Sequence, residues 1–184
     1  MLHSLLKWFY CLPFAQAFFF LAIFGLFFLL LRQRLGKKKH WRPGVAIFAL
    51  LWLLFIVSST LFDRGMSESR TAPALIPFFS YYSVLTGGSK EILRSNFMNV
   101  ALFFPAGLLS GELLPEKWSC RKKLFFVCAF FALLSAGIEC CQFCFALGQA
   151  ETDDVIHNTL GALTGALFSC VKGKSASAEK DPEG

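Results

Sequence analysis

Five polar side chains stand within apolar runs that would not ordinarily hold them, Asn99, Glu139, Gln142, His157 and Asn158, and two acids, Asp153 and Asp154, stand at the edge of one. A charged group near the centre of a bilayer costs about 2.5–3.5 kcal/mol on insertion scales. It therefore needs a partner, a wet cavity or a neutral state, and each of these makes it a candidate for proton transfer or ligand capture. Glu139 is the sharpest case. Ser135 precedes it by four residues and Gln142 follows by three, so the trio draws a polar stripe down one face of a helix. Thr152-Asp153-Asp154 has the pattern of a helix start, with Thr152 as N-cap and two acids suited to the helix dipole. The i, i+4 spacing then pairs Asp153 with His157 and Asp154 with Asn158. Asn96 can cap the start of another run, and Asn99, a turn deeper, needs a partner. The catalytic candidates are Glu139, Asp154 and His157, with Asp153 beside them. Arg64 and Arg70 are the cations available to balance the acids.

The elements that position these groups are hydrophobic. Hydrophobic residues make up 55% of the 184, Phe alone accounts for 23, and only 16% are charged. Soluble domains carry about 25% charged residues. The apolar residues fall in five runs, at 13–31, 45–62, 97–114, 124–147 and 155–171. A helix of about 20 residues crosses a hydrocarbon core of roughly 30 Å. The fold class is therefore all-α, a polytopic transmembrane helical bundle of about five spans. A further stretch, 75–85, is too short to span. Pro73 and Pro77 break it, and Tyr81 and Tyr82 suit an interfacial or re-entrant position. Gly87-Gly88 marks a turn.

Lys and Arg set the orientation. Six lie between the first and second runs, four between the third and fourth, and three after the fifth, against five in the remaining segments. This bias places the amino terminus outside and the carboxyl terminus in the cytoplasm. The net charge of +6 is thus a topology signal. With no soluble basic face, nucleic acid is excluded as a partner and membrane lipid is expected. The first run lacks a cleavage site and is expected to be retained. The chain divides into 1–42, a first transmembrane helix with a basic cytoplasmic loop; 43–172, the transmembrane domain; and 173–184, a disordered polar tail. The cysteines, four of them crowded at Cys128, Cys140, Cys141 and Cys144, read as small apolar packing residues; no metal or cofactor is expected. The glycine pairs Gly107/Gly111 and Gly161/Gly165 are sites of close helix approach.

Alternating direction brings Asn99, Glu139, Gln142 and the segment 153–158 to one membrane face. They form a polar pocket in the outer leaflet with Glu139 at its floor.

The same residues carry a family resemblance. Leu75-Ile-Pro-Phe78, Asn99-Val-Ala-Leu-Phe-Phe-Pro-Ala-Gly107, Ser135-Ala-Gly-Ile-Glu-Cys-Cys-Gln142 and Asp153-Asp-Val-Ile-His-Asn-Thr-Leu-Gly161 resemble, in order and spacing, the VanZ-like family of bacterial integral membrane proteins. The likeness runs from about residue 62 to 171. It departs at Gly148-Gln149-Ala150, where many relatives carry an Arg before the paired acids. The resemblance implies a multi-pass protein of the bacterial plasma membrane with a role at the cell envelope, linked to susceptibility to the glycopeptide antibiotic teicoplanin.

Three functions are open to such a chain. The first is a non-catalytic envelope protein, whose ligand-binding residues would be Arg64, Arg70, Asn99, Glu139, Gln142, Asp153, Asp154 and Asn158. Its ligand would be a lipid headgroup, another envelope lipid or a glycopeptide-like molecule. The second is a membrane enzyme acting on an envelope lipid head through Glu139 and the Asp153/Asp154 pair. The third is a transporter relaying protons through Glu139. Polar residues confined to the outer half of the spans argue against the third.

Overall fold

The computed structural model describes residues 23–24, 41–61 and 72–178. Five helices follow one another along these residues: α1 (Trp41–Leu61), α2 (Phe79–Leu85), α3 (Glu91–Leu113), α4 (Cys120–Cys144) and α5 (Thr152–Ala178). Among the described residues the only extended pairing is an isolated parallel bridge between Ala74 and Glu151.

Three of these helices, α1 from Arg42, α3 and α4, are long and apolar enough to cross a membrane. α5 is not among them, although its 27 residues reach about 40 Å. Its first two turns hold Asp153, Asp154, His157 and Asn158, and Gly161, Thr164 and Gly165 follow, so its apolar content is diluted. The first hydrophobic run lies outside the described residues except for Ile23 and Phe24. Phe24 is buried against Val45, Ala49, Leu108 and Leu109.

Polarity is arranged inside out. Leu50, Leu51 and Leu54 of α1, Phe125, Phe130 and Leu133 of α4, and Leu167 and Phe168 of α5 are exposed. Asn96, Ser135, Glu139, Gln142, Asp153, Asp154 and Asn158 are buried. Water would reverse both sets; a hydrocarbon solvent accepts the first and forces the second to find internal partners. The chain is a membrane protein.

α3 and α5 form the axis of the bundle. A Cβ added at Gly107 would overlap the Ala162 carbonyl, one at Gly161 the Val100 carbonyl, and one at Gly165 the Phe104 carbonyl. Gly107 of α3 and Gly161 and Gly165 of α5 therefore each face the backbone of the other helix and let backbone touch backbone. Around this contact Ile56, Phe103, Ala106, Val127, Phe131, Ile138, Ala162 and Ala166 make the core, with the Phe103 and Phe131 rings edge to face at 6.0 Å. The Trp52 indole donates to the Leu102 carbonyl at 3.0 Å and ties α1 to α3.

Several boundaries differ from the hydropathy runs. α3 begins at Glu91, six residues before its apolar run, so Asn96 lies inside the helix and is no N-cap. Thr152 is itself helical, and its N–H donates to the Ala74 carbonyl at 3.0 Å. α5 runs from Thr152 to Ala178. Cys140 and Cys144 are exposed on α4, whereas Cys128 and Cys141 are half-buried.

The bundle has two unlike ends. At one, the Arg42 guanidinium donates to the Leu113 carbonyl at 2.8 Å, the Lys123 ammonium to the Gly111 carbonyl at 3.4 Å, and Lys122 lies 4.3 Å from the Trp118 ring centre. Cations there satisfy the C-terminal carbonyls of α3. The opposite end gathers the buried polar groups.

Candidate functional site

Four chain segments meet at the polar end: the end of α1, the stretch 72–81, the first turns of α3, and the α4–α5 connection. α4 stops at this end in a Schellman motif. The N–H of Leu147 donates to the Gln142 carbonyl at 2.9 Å and that of Ala146 to the Phe143 carbonyl at 3.4 Å, with Ala146 left-handed at φ 52°. The chain then turns through Gly148 and re-enters as α5. The Ala74 N–H donates to the Ala150 carbonyl at 2.9 Å, and the Gln149 side chain donates to the Ala72 carbonyl at 2.8 Å.

Asp153 is 2% exposed, and its carboxylate binds the stretch 78–80 rather than its own helix. One oxygen accepts from the Phe78 N–H. The other accepts from the Ser80 N–H, at 2.8 Å, and from the Ser80 hydroxyl. Phe78 is left-handed at φ 61° and no side chain of its own segment caps α2, so Asp153 supplies the cap from a distant helix. The Asn96 amide donates to Ser80 Oγ at 2.9 Å and closes this cluster.

His157 stands beneath it. Its Nδ1 faces the Asp153 backbone carbonyl, and its Nε2 lies 2.8 Å from the Tyr81 hydroxyl. A carbonyl only accepts, so Nδ1 donates, and in the neutral ring Nε2 then accepts from Tyr81. Both ring nitrogens are engaged. The expected Asp153–His157 side-chain pair is thus replaced by a bond to the backbone, because the Asp153 carboxylate is turned toward α2. His157 positions α2 against α5. Tyr81→Phe is expected to remove about 1 kcal/mol of stability, the worth of one neutral hydrogen bond. Thermal unfolding in detergent micelles measures it; an unchanged midpoint would mean that the bond is exchanged freely with water.

Asp154 points elsewhere. The Asn99 amide donates to it at 2.7 Å, across the α3–α5 contact. Asn158 donates to Ser135 Oγ of α4 at 2.8 Å, not to Asp154 as the i, i+4 spacing predicts. Glu139, 7% exposed, accepts from the Glu151 N–H at 2.9 Å and so fastens the α4–α5 connection. Gln142 donates to the Thr60 carbonyl of α1 at 3.0 Å.

The stripe Ser135–Glu139–Gln142 is therefore buried along its whole length and faces α5, α1 and the connecting loop. Asn99 lies eight residues into α3, about 12 Å from its start, so the polar groups reach well below the end of the bundle. The structure brings together Asn99, Glu139, Gln142, Asp153, Asp154, His157 and Asn158; Arg64 and Arg70 lie outside the described residues. The Asp153 carboxylate binds the stretch 78–80 and that of Asp154 accepts from Asn99, so the two adjacent acids face different segments. Among the described residues no group of three or more His, Cys, Asp or Glu is placed to hold a metal ion. Sequence reasoning missed Ser80, the Thr60 carbonyl and the Glu151 amide. The first is an ordinary serine in a short segment, and the others are backbone groups that no residue type announces.

Residues 44–173, which include every one of these groups, match the VanZ/LLP1 family. The chain belongs to the VanZ/LLP1 family. It is similar to Protein VanZ of Enterococcus faecium, with 28% identity over 134 residues, 73% of this chain and 74% of that protein. No solved structure matches. Within the family-matched residues, the segments 99–107 and 153–161 supply both the facing glycines and the polar groups above them. One stretch of each helix thus sets the close approach and the site together.

Proposed function

We propose that the protein is a non-catalytic, multi-pass protein of the bacterial plasma membrane whose polar end binds the donor-bearing head of an envelope ligand. The ligand class is a hydroxyl- or ammonium-bearing head, from an envelope lipid or a glycopeptide-like molecule. One observation carries this reading. Gln142 Oε1 and Asn158 Oδ1 are buried and have no hydrogen-bond partner among the described residues, although the side chains are 1% and 3% exposed. The Gln142 orientation is set by its own bond, since the Thr60 carbonyl can only accept and must face the amide nitrogen. A buried acceptor left without a donor costs about 1–3 kcal/mol. The two oxygens flank Glu139 along the stripe, because Asn158 is bonded to Ser135, one turn before it, and Gln142 follows one turn after. Acceptors in that pattern select a ligand that brings donors.

Five spans, with the polar end outside and the Arg42–Lys123 end in the cytoplasm, agree with the distribution of Lys and Arg. In that orientation the polar end lies at the outer leaflet. This fits a role in glycopeptide susceptibility.

Native mass spectrometry of the purified chain tests the binding. The wild-type protein is expected to retain an envelope lipid, and Gln142→Leu or Asn158→Leu to lose most of it, while Glu116→Gln at the opposite end leaves it in place. In a teicoplanin-sensitive host, expression of the chain is expected to raise resistance and Glu139→Gln to abolish the gain. Equal lipid retention by all variants, or full resistance with Glu139→Gln, would sink the reading.

A further inference from the structure

We propose that the segment 75–85 is an interfacial anchor, seated in the headgroup layer of the lipid bilayer at the polar end of the bundle and clamped to the site by Asp153. Along it the large apolar side chains of Leu75, Ile76, Phe78, Phe79, Tyr82 and Leu85 are exposed, Leu85 to 86%. The side chain of α2 that is fully buried is Ser80, held by Asp153 and Asn96. The segment thus turns its polar contact to the protein and its apolar surface away from it. At seven residues α2 is only about 10 Å long, so it cannot cross.

Three observations point to lipid. Large apolar side chains are exposed along this segment as they are on α1, α4 and α5, the arrangement that a lipid solvent accepts. Phe78 holds a left-handed backbone, unusual for a bulky residue, yet more than half of its surface is exposed. Entry of the ring into an apolar phase compensates that conformation. Finally, the backbone is fit for such a phase. The Phe78 and Ser80 amides are satisfied by Asp153, Ala74 bonds through both its N–H and its carbonyl to the α4–α5 connection, and the Thr86, Gly87 and Gly88 amides bond back into α2. Tyr82 at this level and Lys90 just beyond it match the aromatic and cationic composition of a membrane interface. An anchor clamped by Asp153 holds one wall of the polar site in the headgroup layer.

Site-specific photocrosslinking tests the proposal. Full-length protein carrying p-benzoylphenylalanine at Tyr82 or Leu85 is reconstituted in phosphatidylethanolamine/phosphatidylglycerol vesicles, irradiated and analysed by peptide mass spectrometry. Glu116, an exposed loop residue at the opposite end, serves as the control position. Lipid adducts are expected at 82 and 85 in several-fold excess over 116. Adducts no more frequent than at 116 overturn the proposal. So does a crosslinked second copy of the chain as the dominant product at both positions, which would make this face a protein interface. Both sites are exposed, so the substitutions leave the packing intact, and the anchor is judged independently of whether the polar site binds a ligand.

Discussion

Alanine in place of Gly107 is expected to destabilise the folded protein by about 2–3 kcal/mol, the upper part of the range for overpacking a close-packed interior. Alanine in place of Gly137 should instead stabilise it by about 0.5–1 kcal/mol. The chemical change is the same, and both glycines lie within helices. In each the added methyl reduces the conformational freedom of the unfolded chain and favours the helix. The opposite signs come from the neighbours. A Cβ at Gly107 meets the carbonyl oxygen and Cα of Ala162 far inside van der Waals contact, and neither can rotate away. α3 and α5 must then separate, and the contacts of Gly161 and Gly165 with the α3 backbone are lost with them. A Cβ at Gly137 meets nothing within 4 Å. Gly111 falls between the two, since its nearest neighbours are the Ser169 side-chain Cβ at 2.8 Å, a milder overlap than at Gly107, and Oγ at 3.0 Å, which can rotate away. Unfolding titrations in mixed micelles rank the variants. A destabilised Gly137→Ala, or a neutral Gly107→Ala, would show that the α3–α5 contact does not control stability.

Asp153→Ala is expected to cost about 3–5 kcal/mol, because it strands donors that one buried carboxylate now satisfies. The Phe78 and Ser80 amides and the Ser80 hydroxyl all lose their acceptor. Asp153→Asn, which keeps one oxygen, should cost roughly 1–3 kcal/mol, the penalty of one stranded group. The loss should be local first. Amide exchange at residues 78–80 should accelerate, and proteolysis should begin near residues 72–78, before the α3–α5 core opens. Uniform acceleration across all helices would contradict a local clamp. This outcome separates Asp153 from Glu139: the first holds the stretch 78–80, while the second holds the α4–α5 connection.

The polar residues were legible in the sequence because hydrocarbon makes them conspicuous. Asn99, Glu139, Gln142, Asp154 and Asn158 stand out one at a time against apolar neighbours, and alternating helix direction suffices to place them at one level. Their partners were not legible. Spacing along α5 predicts Asp153 with His157 and Asp154 with Asn158, but the glycines bring α3 so near, and the connection brings the 72–81 stretch so near, that cross-helix acceptors and donors win. Ser80 is one serine among many until Asp153 reaches it.

By itself, then, the sequence determined the solvent of this protein, its helical class and the end at which its polar groups collect, because these follow from hydropathy, helix length and charge along the chain. Only the tertiary structure decided which segment each carboxylate holds: Asp153 the stretch 78–80, Asp154 the Asn99 amide and Glu139 the α4–α5 connection. That choice depends on backbone groups, the Phe78 amide, the Thr60 carbonyl and the Glu151 amide, whose positions come from packing and whose identity no side chain encodes.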